Sequence, residues 1–249
     1  MKFHNLNYKI FKYKMNSPKV IFVEGNIASG KTTFINLLPE VIDCQIILEP
    51  LDMWKELVDS KGKNILDYFY TDMPKYAYPF QSFAFLSRVK SVQNINSEKP
   101  YVFVERSIFS DKNIFAKNCY INGIMTEIEW NLYNQWFNWM RDSLKIDNPY
   151  HIYMKCNPDV SYKRLLERSR QEEADVSLEY LTEIHNRHEE WLGNSKNCLT
   201  VDASQGFRDD KNIMKSLVNQ ITDYVSTSSV DHCDHRFMQN DWLQWSRRG

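Results

Sequence analysis

Five short apolar runs punctuate the chain: Lys19–Val23, Gln45–Leu48, Tyr101–Val104, His151–Cys156 and Cys198–Val201. They are near-continuous rather than alternating, and helix-compatible stretches separate them. That pattern predicts a parallel sheet covered on both faces by helices. Ligands in such sheets gather beyond the carboxyl ends of the strands. The segments of most interest are therefore Gly25–Thr32, Glu49-Pro50, Glu105-Arg106 and Asn157-Pro158. Pro39 predicts an early end to the first helix, and Pro74 and Pro79 predict the entry to a helix from about Phe80 to Val92. Trp130, Tyr133, Trp136, Phe137 and Met140 recur at helical spacing. They predict a buried packing face, wide enough to serve also as a dimer surface. His185 and His188, on a charged helix, read as solvated surface because the Glu placement of a zincin is missing.

One stretch changes this picture from architecture to chemistry. Gly25-Asn26-Ile27-Ala28-Ser29-Gly30-Lys31-Thr32-Thr33 follows the first apolar run and precedes a helix-compatible segment. It fits G-x-x-x-x-G-K-[ST], the phosphate-binding loop. The two glycines let the backbone turn tightly and approach phosphate oxygens, and the amides form an anion nest at a helix N-terminus. Lys31 supplies a point charge for the outer phosphates and Thr32 a hydroxyl for Mg²⁺. The motif predicts a bound nucleoside triphosphate and is silent on the phosphate acceptor.

Bulk properties narrow the classes. The 249 residues suffice for one α/β core with a tail, and 43% hydrophobic with 25% charged residues is ordinary for a globular chain. A net charge of −1 gives no field for nucleic acid polymers or anionic membranes, and no apolar run is long enough to span a bilayer. Cys44, Cys119, Cys156, Cys198 and Cys233 are scattered and odd in number. They read as reduced intracellular thiols, with Cys156 and Cys198 in the core. Residues 1–18 read as a disordered basic leader, 19–225 as the folded domain and 226–249 as a linker and irregular tail. The expected compartment is the cytoplasm, with a mitochondrial transit role for the leader as the alternative. His232-Cys233-Asp234-His235 fits no standard zinc spacing.

The strand-end residues supply the remaining groups. Glu49 would lie across from the phosphate loop, placed to take a proton from an attacking hydroxyl. A lone strand-end Glu otherwise reads as a helix cap or surface acid. Glu105 is placed to hold Mg²⁺, and Arg106 to neutralise phosphate or hold Glu49; the alternative is a structural ion pair. Gln81, Ala84 and Arg88 share one helix face. A Gln amide matches the Watson–Crick edge of a base, Ala84 leaves room beside it, and a buried Arg88 needs a carboxylate, for which Asp111 is the candidate. Arg164, Arg168 and Arg170, with Glu172 and Glu173, form either a solvated helix face or a lid over a transferring phosphoryl group.

Taken in order, these segments resemble the deoxynucleoside kinases of the deoxycytidine/deoxyguanosine kinase type. The resemblance runs from about Val20 to Tyr224. It rests on Gly25–Thr33, Glu49-Pro50 with Trp54, Pro79-Phe80-Gln81-Ser82, Leu86-Ser87-Arg88, Glu105 to Asp111, Arg164 to Glu173, and Leu178-Glu179-Tyr180-Leu181. It implies a P-loop NTPase-like α/β fold, with a five-stranded parallel sheet, helices on both faces and an arginine-rich lid. It implies ATP with Mg²⁺, a deoxynucleoside acceptor phosphorylated at its 5′-hydroxyl, and a homodimer. Glu49 looks like the base, held by Arg106, and Glu105 like the Mg²⁺-linked acid, though some descriptions of the family exchange their roles. Tyr70 and Glu173 look like the grip on the sugar 3′-hydroxyl, Gln81 the base reader and Trp54 a pocket wall. Arg164, Arg168 and Arg170 look like the lid, and Phe207 with Arg164 like the adenine-binding region. Arg88 and Asp111 together imply deoxyadenosine, deoxyguanosine or deoxycytidine ahead of thymidine. A nucleoside monophosphate kinase shares the loop and lid but needs a cationic grip on its acceptor's phosphate. A non-catalytic scaffold, like the kinase-related subunit of respiratory complex I, would not need Lys31, Glu49 and Arg106 intact.

Overall fold

The computed structural model describes residues 18–93, 95, 98–144, 149–170, 173–205 and 211–227. Strand β1 (Lys19–Glu24) leads through the phosphate loop into α1 (Lys31–Leu37) and a 3₁₀ turn, Leu38–Glu40. There follow β2 (Cys44–Ile47), α2 (Leu51–Glu56), α3 (Ile65–Thr71), α4 (Met73–Val92) and β3 (Tyr101–Glu105). Helix α5 (Ile108–Ser110) continues through a widened π turn, Asp111–Ala116, into α6 (Lys117–Ile121). The described part closes with α7 (Glu127–Ser143), β4 (Tyr150–Lys155), α8 (Pro158–Arg168), α9 (Leu178–Leu192), β5 (Cys198–Asp202) and α10 (Lys211–Thr227). The expected leader, apart from Pro18, and the tail beyond Thr227 lie outside the described residues, as does the His232–His235 cluster. Ser226 and Thr227, read as linker, are the last residues of α10.

Among the described residues five strands pair in parallel, in the order β2-β3-β1-β4-β5. Alternate residues of β1 serve opposite faces, as the pleat requires. Ile21 and Val23 pack with Phe34 of α1 and with Met214, Val218, Ile221 and Val225 of α10. Phe22 packs with Val92 of α4 on the other side. This is the P-loop type of α/β architecture, with helices on both faces. Among the described residues no helix is long and apolar enough to cross a membrane.

Register decides where the chemistry falls. Val23 pairs with Glu105, and Ile47 pairs with Val104. Glu24, Glu105 and Glu49 therefore reach the same edge of the sheet within a residue or two of each other. Asn157-Pro158, at the corresponding end of β4, serves instead as a cap: Asn157 Oδ1 accepts from the Asp159 amide at 3.0 Å, with Pro158 in the first turn of α8.

Three further readings are corrected. Helix α4 starts at Met73, with Pro74 in its first turn and Pro79 in its interior. Pro79 is exposed, as is Lys75, whose carbonyl loses its helical donor to the proline; placement on the solvent side softens the usual cost of an internal proline. On α7, Tyr133 and Phe137 are buried, but Trp136 is 51% exposed and turns outward with Ile128, Leu132 and Trp139. Trp136 follows Tyr133 by three residues yet lies about 100° around the helix from Phe137. His188 is fully buried, not solvated: its ring stacks on Tyr153 at 5.6 Å and its Nδ1 lies 2.7 Å from the Ile184 carbonyl oxygen.

Candidate active site

The phosphate loop is built by geometry that only a few side chains tolerate. Gly25 has φ +145°, and a Cβ there would sit 2.7 Å from the Met154 carbonyl oxygen and 2.8 Å from Ser29 Oγ. Gly30, at φ 96°, sits immediately before α1. Asn26 fixes the loop from within and from outside. Its Oδ1 accepts from the Ile27 amide at 2.8 Å, and its Nδ2 donates to the Leu181 carbonyl of α9 at 2.8 Å. Lys31 is buried and donates to the Asn26 carbonyl at 2.7 Å. Burial, and then the charge of Arg106, lower its pKa to about 7 against the pull of Glu105 and Glu49. An anion entering the loop would supply the counter-charge that burial has removed.

The loop opens into a cavity of about 850 Å³. Ile27, Ala28, Gly30, Lys31, Thr32 and Thr33 line one end. Trp54, Tyr70, Gln81, Ala84, Arg88 and Asp111 line the other, and Glu49, Glu105 and Arg106 lie on the wall between. Arg164, Arg168, Arg170 and Glu173 complete the lining. Of the residues singled out in the sequence, Gly25, Asn26 and Ser29 form the loop's frame behind this surface. Phe207 lies outside the described residues.

Two guanidinium groups converge on Glu49. Arg88 Nη2 donates to its Oε1 at 2.6 Å, and Arg106 Nε lies 3.2 Å from the same oxygen. Burial alone would raise the Glu49 pKa, but Arg88, Arg106 and Lys31 outweigh it and hold the carboxyl at about 2. Arg88 also makes the expected pair with Asp111, Nε to Oδ1 at 2.9 Å. One cation thus serves two acids, and Asp111 is the weaker-held of them. Burial and the neighbouring Glu49 charge push its pKa up to about 6 despite Arg88. The pairing of Arg88 with Glu49 was not legible in the sequence, which assigned Glu49 to Arg106 alone.

Arg106 is the structural hub. It has φ +63°, the left-handed region that a non-glycine residue adopts only when its surroundings compel it. Its amide donates to the Val23 carbonyl at 3.0 Å, and its Nη1 to the Gly25 carbonyl at 2.7 Å. The ring of Phe115 lies 4.8 Å from its guanidinium carbon. Arg106 thereby ties the phosphate loop to Glu49 in one side chain.

Glu105 Oε1 accepts from Thr32 Oγ1 at 2.6 Å, and its Oε2 lies 3.5 Å from the Glu49 amide. A hydroxyl and a carboxylate beside a phosphate loop are hard oxygen donors, the set that suits Mg²⁺ together with substrate phosphates. The arginines of α8 and of the turn after it are already paired. Arg164 donates to the Ala203 and Ser204 carbonyls at 2.8 and 3.0 Å, bracing the segment after β5. Arg168 donates to Glu173 through Nε at 2.8 Å and through Nη2. Arg170 Nη1 lies 3.6 Å from Glu173 Oε1. At the apolar end, Trp54 Nε1 donates to Ser87 Oγ at 2.8 Å and its ring meets Phe80 edge-on.

This geometry can be set beside known proteins. A family model described as deoxynucleoside kinase matches residues 21–226. The chain belongs to the deoxynucleoside kinase family. A probable deoxycytidine kinase of fowlpox virus (strain NVSL) is 37% identical over 219 residues, covering 85% of this chain and 90% of its own. The deoxycytidine kinase of Bos taurus is 35% identical over 243 residues, covering 84% and 92%. The mitochondrial thymidine kinase 2 of Macaca fascicularis is 35% identical over 175 residues, covering 70% and 64%. As a deoxynucleoside kinase, the chain phosphorylates deoxynucleosides with ATP as donor.

Proposed function

We propose that this kinase transfers the γ-phosphoryl of ATP to the 5′-hydroxyl of deoxycytidine, deoxyadenosine or deoxyguanosine in preference to thymidine. The observation that carries the reading is the carboxylate of Glu49, ionised and clasped by Arg88 and Arg106, in the same cavity as Lys31. Phosphoryl transfer asks the protein mainly for placement and charge neutralisation. Glu49 orients the hydroxyl and accepts its proton. A base this weak is adequate, because in a loose transition state the hydroxyl becomes acidic only as the new bond forms. Lys31 draws on the outer phosphates, while Arg168 and Arg170 leave Glu173 to close on the transferring group. Thr32 and Glu105 would hold Mg²⁺, which when bound offsets phosphate charge. Tyr70 and Glu173 take the sugar 3′-hydroxyl.

Base choice rests on Gln81, Arg88 and Asp111. The Asp111 carboxylate accepts from an exocyclic amine, which cytosine, adenine and guanine carry and thymine lacks. The buried ion pair also occupies the room a 5-methyl would need. Arg88, neutralised by two acids, offers no grip for an acceptor phosphate, which favours a nucleoside over a nucleoside monophosphate. Steady-state kinetics with the four deoxynucleosides tests the reading. Thymidine is expected to give the lowest kcat/KM, and thymidine ranking first would overturn it. A pH series gives a second check. Below about 6 Asp111 takes up a proton while Glu49 stays ionised, so KM for deoxycytidine should rise from about pH 7 to about pH 5 while KM for ATP holds.

A homodimer through the outer stripe of α7 belongs to the same reading, since Ile128, Leu132, Trp136 and Trp139 expose contiguous apolar surface. So does a cytoplasmic setting, which the unpaired Cys44, Cys119, Cys156 and Cys198 favour.

A further inference from the structure

Glu24 is a fully buried acid that the mechanism above does not use. It ends β1 immediately before Gly25 of the phosphate loop. Its Oε1 accepts from the Ser107 amide at 3.1 Å and lies 3.5 Å from His151 Nδ1 of β4. Burial opposes its ionisation, but His151, Ser107 and the Arg106 charge prevail, and its pKa falls to about 2. A buried charge is costly and is kept only where it is well paired or performs a task.

The task is visible in the backbone. Arg106 holds a strained left-handed conformation. Its own amide is bonded to Val23 of β1, and the next amide, Ser107, is bonded to the Glu24 side chain. β1 therefore grips the turn on both sides of the strained residue. Ser107 in turn caps α5, its Oγ accepting from Phe109 and Ser110. We propose that Glu24 is a positioning residue of the phosphotransfer site: by clamping the Ser107 amide it holds the Arg106 turn, from which the guanidinium bridges the Gly25 carbonyl and Glu49. The proposal rests on the phosphotransfer reading. It adds a residue that touches neither substrate.

The test uses the full chain with ATP, Mg²⁺ and the best deoxynucleoside. Glu24→Gln keeps the reach and the acceptor oxygen but loses the charge; Glu24→Asp keeps the charge and loses the reach. The aspartate variant is expected to lose about 10²-fold in kcat, the scale of a misplaced catalytic group, with KM for the nucleoside changed less than about threefold. The glutamine variant should recover most of that loss. In an Arg106→Ala background, Glu24→Asp should cost less than about threefold more, because the group it positions is gone. The proposal is overturned if Glu24→Asp turns over at least as well as Glu24→Gln, or if its loss is the same with and without Arg106. A wild-type chain that transfers no phosphoryl group would instead sink the functional reading, which keeps the two failures apart.

Discussion

Glu49→Gln is expected to lower kcat by about 10²–10⁴-fold, the usual span for loss of a general base, while leaving KM for ATP nearly unchanged. The substitution is isosteric and keeps an oxygen for Arg88 Nη2, which donates to Glu49 at 2.6 Å. Arg106 retains the Gly25 carbonyl, so the loop should keep its shape. What disappears is the carboxylate proposed to receive the hydroxyl proton. Glu105→Gln provides the contrast. Glu105 bonds Thr32, so its loss should be partly reversed by raising Mg²⁺, whereas the Glu49 variant should not respond. Steady-state turnover at several Mg²⁺ concentrations separates the two acids. Near-normal kcat in Glu49→Gln would transfer the role of base elsewhere.

The second large effect concerns stability. Arg88 is buried with Asp111, and side-chain exposures of 5% and 1% leave both with little access to water. Removing the cation alone leaves Asp111 uncompensated and Glu49 with only Arg106. Arg88→Met is therefore expected to cost about 3–5 kcal/mol in urea unfolding, the range for a broken buried pair. The double variant Arg88→Met, Asp111→Ala removes the stranded charge and should recover a large part of that cost. If the double variant is as unstable as the sum of its singles, the pair is not the coupled unit described here.

How far the sequence foretold this molecule depends on the kind of information each feature needs. The strands were legible because parallel strands buried on both faces must be apolar along their length, and the observed β1 to β5 depart from the expected runs by no more than one residue at either end. The phosphate loop was legible because its backbone admits few residues. The pairing of Arg88 with Asp111 was legible from chemistry, since a guanidinium on an apolar face demands a carboxylate. Its second partner, Glu49, was not, because that contact depends on the register between β2 and β3 and on the length of the loop into α2. Trp136 was misplaced because periodicity fixes an axis but not which side of it meets the core. Glu24 gave one faint sign, an acid closing an otherwise apolar strand, and nothing in the spacing marked Ser107 as its partner.

The π turn carries an evolutionary consequence. Asp111 and Phe115 both belong to it, one facing Arg88 and the other facing Arg106. Excising a single residue between them would let the backbone relax into an ordinary spiral, rotating one side chain about 100° relative to the other. The Asp111 contact to Arg88 and the Phe115 contact to Arg106 would then fall out of phase together. A deletion here should behave as a frame error of the active site, far harder for a lineage to tolerate than a point change at either position.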